Sequence, residues 1–250
     1  MESYGEFAGV YDRLMDDFDY PAWADYYLEL LAQAGVKPKK ICDCACGTGS
    51  MTVEFAKRGL QVTGADLSRD MLEVASVKAR KNACKILFSA QNMCDLALPR
   101  PVDAIVCACD GVNYLTTDEE LSAFFRAARA GLKDGGCLAF DVSTRYKLET
   151  VIGDGFFGED RDDVAYLWSN RFDTERLLAD MDLTFFIKCD DGRYRRFQEH
   201  HRQRAYSAEE LAATLTDCGF TDIRVYGDRT ADEPKPREKR IHITAKRLEK

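Results

Sequence analysis

The residues best suited to chemistry are gathered in the run Asp43-Cys44-Ala45-Cys46-Gly47-Thr48-Gly49, where an apolar strand-like stretch gives way to a helix-like one. Glycines at such a junction let a ligand approach the backbone closely. A nicotinamide site would want Gly-x-Gly-x-x-Gly; Gly47 and Gly49 supply two positions, but Thr52 occupies the third. Asp43 weighs further against a dinucleotide, because a carboxylate beside the turn repels a pyrophosphate seated on a helix N-terminus. The same carboxylate suits a ligand that carries an ammonium and a sulfonium.

S-adenosylmethionine is such a ligand. Its carboxylate can use the helix N-terminus, and its positive groups can use nearby carboxylates and carbonyls. Gly64-Ala65-Asp66-Leu67-Ser68 follows at the end of a second strand-like run, and an acid there can accept hydrogen bonds from both ribose hydroxyls, a role that either cofactor would use. Gln91-Asn92-Met93-Cys94-Asp95 follows a third run. There an amide can bond an adenine edge and a methionine can pack on its face.

Alternating strand and helix periods from Lys39 to Val142 are what must position these groups, and they call for a parallel sheet covered on both faces. The strands expected are Ile41 to Cys46, Gln61 to Asp66, Lys85 to Ala90, Asp103 to Cys109 and Gly136 to Val142. Gly59 ends the first intervening helix, Ser68 caps the second, and Thr117 with Glu120 forms a capping box before the third. Ser207 with Glu210 starts another helix. The last two strands, Asp222 to Gly227 and Arg240 to Ala245, are joined through Pro234 and Pro236 with no helical period, so they should pair antiparallel. Two segments fall outside this core. Tyr4, Phe7, Ala8, Tyr11, Leu14, Met15 and Phe18 share one helical stripe, followed by a helix from about Pro21 to Ala34. Between Ser143 and Tyr206, three alternating runs around an Asp191-Gly192 turn predict an antiparallel three-stranded meander, Val164 to Phe172, Leu177 to Ile187 and Tyr194 to Ala205. Both additions should lie over the sheet's carboxyl edge, where open α/β sheets bind ligands.

These features resemble class I S-adenosylmethionine-dependent methyltransferases over nearly the whole chain. The first-strand run matches the family's Asp-x-Gly-x-Gly-x-Gly with Ala45 in place of its first glycine. The resemblance implies a Rossmann-like α/β fold, a mostly parallel seven-stranded sheet with an antiparallel C-terminal strand and a small antiparallel insert. It assigns Asp43, Ala45, Gly47 and Gly49 to the methionyl portion, Asp66 to the ribose, Leu67 and Met93 to the adenine faces, and Asn92 to the adenine amino group. Cys109-Asp110-Gly111-Val112-Asn113-Tyr114-Leu115 resembles the segment that borders cofactor and acceptor, and the segment Tyr4 to Asp12 resembles an N-terminal lid whose aromatic residue, here Tyr11, covers the cofactor. Met71 is a further candidate contact, and S-adenosylhomocysteine is the implied product.

Methyl transfer is an in-line displacement, so alignment and exclusion of water come before any dedicated base. Candidates for lining the acceptor pocket are Asp110, Asn113, Tyr114, Trp168, His200 and His201. Neighbours on a strand face opposite ways, so at most one of the two histidines should look inward. The arginines between Arg193 and Arg204 could meet an anionic substrate group; a solvated face paired with Asp180 and Asp182 explains them equally simply.

Composition narrows the function classes. The 43 acidic against 35 basic residues give a net charge of −8, and residues 1–30 hold eight acids and one base, which argues against a phosphate backbone as partner. The start lacks the basic region of a signal peptide and no apolar run approaches the ~20 residues that span a bilayer, so a cytosolic location is expected. The ten cysteines, without a Cys-x-x-Cys pair, read as reduced thiols. The expectation is a single methyltransferase domain: a lid over residues 1–35, a core over 36–142 and 207–250, and an insert over 143–206. It would act on a nitrogen or oxygen of a small molecule. The rivals are an RNA or protein methyltransferase, a nicotinamide oxidoreductase, and a non-catalytic cofactor-binding protein.

Overall fold

The structure, a computed structural model, describes residues 8–15 and 18–248. The lid positions Tyr4 and Phe7 lie outside the described residues. In chain order the elements are α1 (Ala8–Leu14), α2 (Tyr20–Gln33), β1 (Lys40–Cys44), α3 (Ser50–Lys57), β2 (Gln61–Asp66), α4 (Arg69–Lys81), β3 (Leu87–Ala90), β4 (Val102–Cys107), α5 (Asp118–Gly131) and β5 (Leu132–Ser143). The insert then supplies β6 (Phe156–Asp160), β7 (Val164–Asp173), β8 (Leu178–Lys188) and β9 (Tyr194–Arg204), before α6 (Ala208–Asp217), β10 (Phe220–Tyr226) and β11 (Arg240–Arg247) complete the core.

One sheet runs β10-β11-β5-β4-β1-β2-β3. Its pairs from β5 to β3 are parallel, whereas β11 is antiparallel to both β5 and β10, as the proline-bearing connection requires. The chain builds outward from β1 to β3, then restarts beside β1 with β4. That reversal leaves a crevice beyond the carboxyl ends of β1 and β4, the place where such sheets bind ligands. One face is buried under Phe124, Phe125, Leu211 and Leu215 from α5 and α6, the other under Trp23, Tyr27, Leu31 and Phe55 from α2 and α3.

Local signals in the sequence account for the helix ends. Ser68 accepts a hydrogen bond from the Met71 amide, and Thr117 with Glu120 makes the reciprocal capping box. Ser207 accepts from the Glu210 amide, but the Glu210 carboxylate turns instead to Arg204.

Two expectations need correction. The insert has four strands, order β6-β7-β8-β9. The sequence hides β6 because Phe156-Phe157-Gly158-Glu159-Asp160 is a fully exposed edge without the alternation of a half-buried strand. A π-helical segment, Tyr146–Ile152, leads into it. The apolar stripe of the N-terminal helix stops at Leu14; Phe18 lies beyond the helix and packs on Tyr20 and Trp23, with ring centroids 4.6 Å away in each case. Among the described residues, no helix is long and apolar enough to cross a membrane.

Candidate active site

The turn after β1 is shaped by three left-handed residues, Ala45, Gly47 and Gly49. Gly49 is required sterically: a Cβ would lie 2.8 Å from that of Ala75 on α4. A Cβ on Gly47 would meet nothing within 4 Å, so this stretch of backbone faces open space. Asp66, at the end of β2, accepts from the Gly47 amide (2.8 Å) and the Ser68 amide (2.9 Å) and so ties the glycine turn to its neighbouring strand. Gly49 caps α3 without a side-chain bond, which leaves helix N–H groups free to meet an anionic group.

Asp43 is placed differently from the sequence expectation of a charge beside the ligand. It is 1% exposed, lies beneath the turn, and accepts a 2.5 Å hydrogen bond from the Thr52 hydroxyl. Burial pushes its carboxyl up to about 7, against the opposing pull of Thr52. Thr52, which broke the nicotinamide pattern, is therefore the partner of this acid. Burial likewise raises Asp66, although the three backbone amides of Gly47, Leu67 and Ser68 resist it.

Three loops converge over the crevice. A Cβ on Gly111, just after β4, would lie 3.2 Å from that of Ala45 and 3.9 Å from Met93 Cε. Asn92 caps the turn that presents Met93 by accepting from the Cys94 amide at 3.0 Å, leaving its amide nitrogen and a second lone pair for an adenine edge. Leu67 is 73% exposed at the same rim. Met71 is buried in a small core with Ala8 and Phe185, on which Tyr11 and Leu14 also pack.

On the acceptor side, the Tyr11 hydroxyl is buried beside Cys109, Tyr20, Tyr114 and Asp110, and burial raises it well above the usual tyrosine range. The next two residues of α1 are tethers. Asp12 accepts from the Thr48 hydroxyl (2.6 Å) and pairs with Lys78 on α4 (2.7 Å), while Arg13 pairs with Asp163 of the insert. Helix α1 is thereby fastened to the glycine turn on one side and to the insert on the other. His201 faces inward and Tyr114 lies against it, hydroxyl to Nδ1 3.4 Å. Burial lowers the imidazole to about 4, which leaves it neutral near pH 7.

The remaining acceptor candidates fare unequally. His200 faces outward against Asp182 (2.8 Å) and Asp180 (3.5 Å), so it does not line the crevice. Arg202 shares Asp180, which accounts for that basic face as a charge-paired surface. Asn113 is fully buried; its amide donates to the Ser143 and Arg204 carbonyls and its oxygen accepts from the Ser143 amide, which makes it a brace between β5 and β9 rather than a wall of the pocket. Trp168 packs on Phe157 and donates to Asn170, over the cluster that holds Leu148 and Ile152. Asp110 is committed to Arg240 (2.6 Å) and Lys147 (3.5 Å). Asp141, Arg240, Tyr27 and Lys147 form a charged network beneath it that sequence reasoning missed. The available signal was an acid inside the apolar run Cys137 to Val142.

Comparison with known proteins agrees with this geometry. Residues 41–136 match the family described as a methyltransferase domain. A Geobacillus sp. (strain WCH70) protein classed among methyltransferases is 36% identical over 98% of this chain and 100% of its own length. The dTDP-3-amino-3,4,6-trideoxy-alpha-D-glucopyranose N,N-dimethyltransferase of Streptomyces venezuelae is 27% identical over 85% of this chain and 89% of its own. The crystal structure of an S-adenosylmethionine-dependent methyltransferase from Clostridium acetobutylicum superposes with a TM-score of 0.88 at 31% identity, covering 98% of this chain and 99% of that one. A glycine turn open at Gly47 and an acid at the second strand end are what such a cofactor needs, and the chain belongs to the S-adenosylmethionine-dependent methyltransferases.

Proposed function

We propose that the protein moves a methyl group to a nitrogen or oxygen of a small-molecule acceptor enclosed beneath the lid and the insert. The observation that carries this reading is the fastening of the N-terminal helix across the crevice: the Tyr11 hydroxyl lies near Cys109 and Asp110, and Asp12 and Arg13 tie the helix to the glycine turn and to the insert. A closed roof admits a small molecule and excludes a folded RNA or protein surface. The name of the Streptomyces venezuelae relative, an N,N-dimethyltransferase of an aminosugar, supports an amine-bearing acceptor. Residues 1–35 act as the lid and 143–206 as the roof, on a core of 36–142 and 207–250.

When bound, S-adenosylmethionine supplies an electrophilic methyl group on a sulfonium. The residues around it bind, orient and dry the reaction. The turn of Ala45, Gly47 and Gly49 and the α3 N-terminus receive the methionyl portion, Asp66 accepts from the ribose hydroxyls, and Leu67, Asn92 and Met93 frame the adenine. Met71 supports the lid from below, and Tyr11 with Cys109 closes over the reacting region. Enclosure of this kind holds the partners in line and keeps water from competing. Neutral His201, backed by Tyr114, can accept a hydrogen bond from the acceptor's N–H or O–H and orient its lone pair toward the methyl.

The test is to incubate the enzyme with methyl-labelled S-adenosylmethionine and, separately, a panel of small amines and hydroxylated compounds, total RNA, and a protein extract. Label recovered on a small molecule is expected. Label recovered only on RNA or protein overturns the proposal.

A further inference from the structure

We propose that Asp141 is a positioning residue for methyl transfer, holding the Cys109–Asp110 turn in the conformation that borders cofactor and acceptor. The inference rests on the acceptor lying at this edge, as proposed above. Cys109 and Asp110 are consecutive non-glycine residues in the left-handed region, at φ 60° and 65°. Asp visits that region with modest strain, but cysteine does so rarely, and two in succession persist only where the surroundings impose them. Here the imposing group is a carboxylate. The Cys109 and Asp110 amides both point at Asp141, at 2.8 and 3.1 Å, in the convergent pattern that successive N–H groups adopt around an anion.

The anion is itself immobilised. Asp141 is fully buried just after Phe140, the β5 residue paired with Cys107 of β4. It also accepts from the Tyr27 hydroxyl (2.6 Å) and from Arg240. Arg240 lies over the Trp23 ring, 5.1 Å from its centroid, and reaches Asp110 as well, so one guanidinium links the carboxylate beneath the turn to the carboxylate on it. Lys147 is the second cation at Asp110. Two acids and two bases thus balance in a cluster that is buried at Asp141 and partly buried at the other three, and the groups that touch Asp141 come from α2, the turn after β4, and β11. Such an arrangement fixes the turn before any ligand arrives, which is how preorganisation lowers a barrier. Tyr11 and Tyr114 stand close to that turn, so its shape also sets the floor of the acceptor space.

Asp141→Asn removes the charge at nearly constant volume and leaves one oxygen for two amides and a hydroxyl. Tyr27→Phe removes the hydroxyl that shares Asp141 Oδ1 with the Cys109 amide, while leaving both turn contacts in place. The proposal expects D141N to bind S-adenosylhomocysteine at least tenfold more weakly by calorimetry, with faster amide hydrogen exchange confined to a peptide around residues 106–114. It expects Y27F to lower Tm yet bind within twofold of the wild type. Equal affinity of D141N and wild type, or exchange raised throughout the sheet in both variants, would reduce Asp141 to a stabilising core residue and overturn the proposal. Should D141N fail to fold, Asp141→Asn with Arg240→Gln removes an acid and a base together and is held to the same outcomes. Failure of the wild type itself to bind S-adenosylhomocysteine would instead refute the reading of the site on which this inference stands.

Discussion

Thr52→Val is the perturbation whose outcome the structure constrains most tightly. The change keeps the shape and removes the one side-chain donor, among the described residues, to a buried carboxylate, Asp43, 2.5 Å away. Asp43 titrates near 7 in the folded protein, against about 3.9 for a free aspartate. Because the folded value is raised, the favourable contribution of this group is full below pH ~4 and is lost as pH rises through ~7. At pH 5 both partners are neutral, and the lost hydrogen bond should cost about 1 kcal/mol. At pH 8.5 Thr52 donates to an ionised group, and its removal should cost about 2–3 kcal/mol. For a chain of this size that corresponds to a Tm lowered by roughly 2–4 °C at pH 5 and roughly 5–10 °C at pH 8.5. Urea unfolding of wild type, T52V and T52V/D43N at both pH values measures the difference. Equal losses at the two pH values, or a larger loss at pH 5, would refute the buried, hydrogen-bonded placement of Asp43. In the double variant the excess loss at high pH should vanish.

Three further outcomes are expected. Tyr114→Phe and His201→Ala should each lower turnover with the first active acceptor from the panel while leaving S-adenosylhomocysteine affinity within twofold; weakened cofactor binding in both would place them on the wrong side of the crevice. Because burial lowers His201 to about 4, its favourable contribution is full above pH 6.5 and is lost as pH falls toward 4, so the wild type should lose about 2–3 kcal/mol more than His201→Gln over that range, read by urea unfolding. Asp12→Asn loosens the exposed tether between lid and glycine turn and should speed release of S-adenosylhomocysteine a few-fold in stopped flow, with the effect shrinking in 0.5 M salt, since pairs this exposed are worth under about 1 kcal/mol; unchanged release would free the lid from that tether.

The parts of the fold that the sequence shows best are those specified by local pattern. The β2 strand from Gln61 to Asp66 matches its expected limits because both faces are covered and Gly and Asp close the run. The same holds for the caps at Ser68 and Thr117, whose hydrogen bonds span three residues. Features built from contacts distant in sequence were harder to see. Asp141 and Arg240 lie 99 residues apart, and neither neighbour pattern points to the other. Strand β6 escaped because an exposed edge has no periodicity to betray it. Period-two alternation implied that at most one of His200 and His201 turns inward, and the structure turns His201 in and His200 out. For Asp43 the sequence located the residue and misplaced its environment, since only the fold shows that Thr52, in the first turn of α3, lies directly against it.

The most direct test of the account is a thermal-shift titration of wild type and Asp66→Ala with S-adenosylhomocysteine and, separately, NADH. At a hundredfold excess over Kd, a ligand of the native state adds about 2.7 kcal/mol, a rise of several degrees in a chain of this length. The account predicts that S-adenosylhomocysteine stabilises the wild type, that NADH does not, and that Asp66→Ala needs roughly 5- to 150-fold more ligand for the same shift, as expected when a partner worth about 1–3 kcal/mol is lost. Stabilisation by NADH alone, or an undiminished response in a well-folded Asp66→Ala variant, would contradict it.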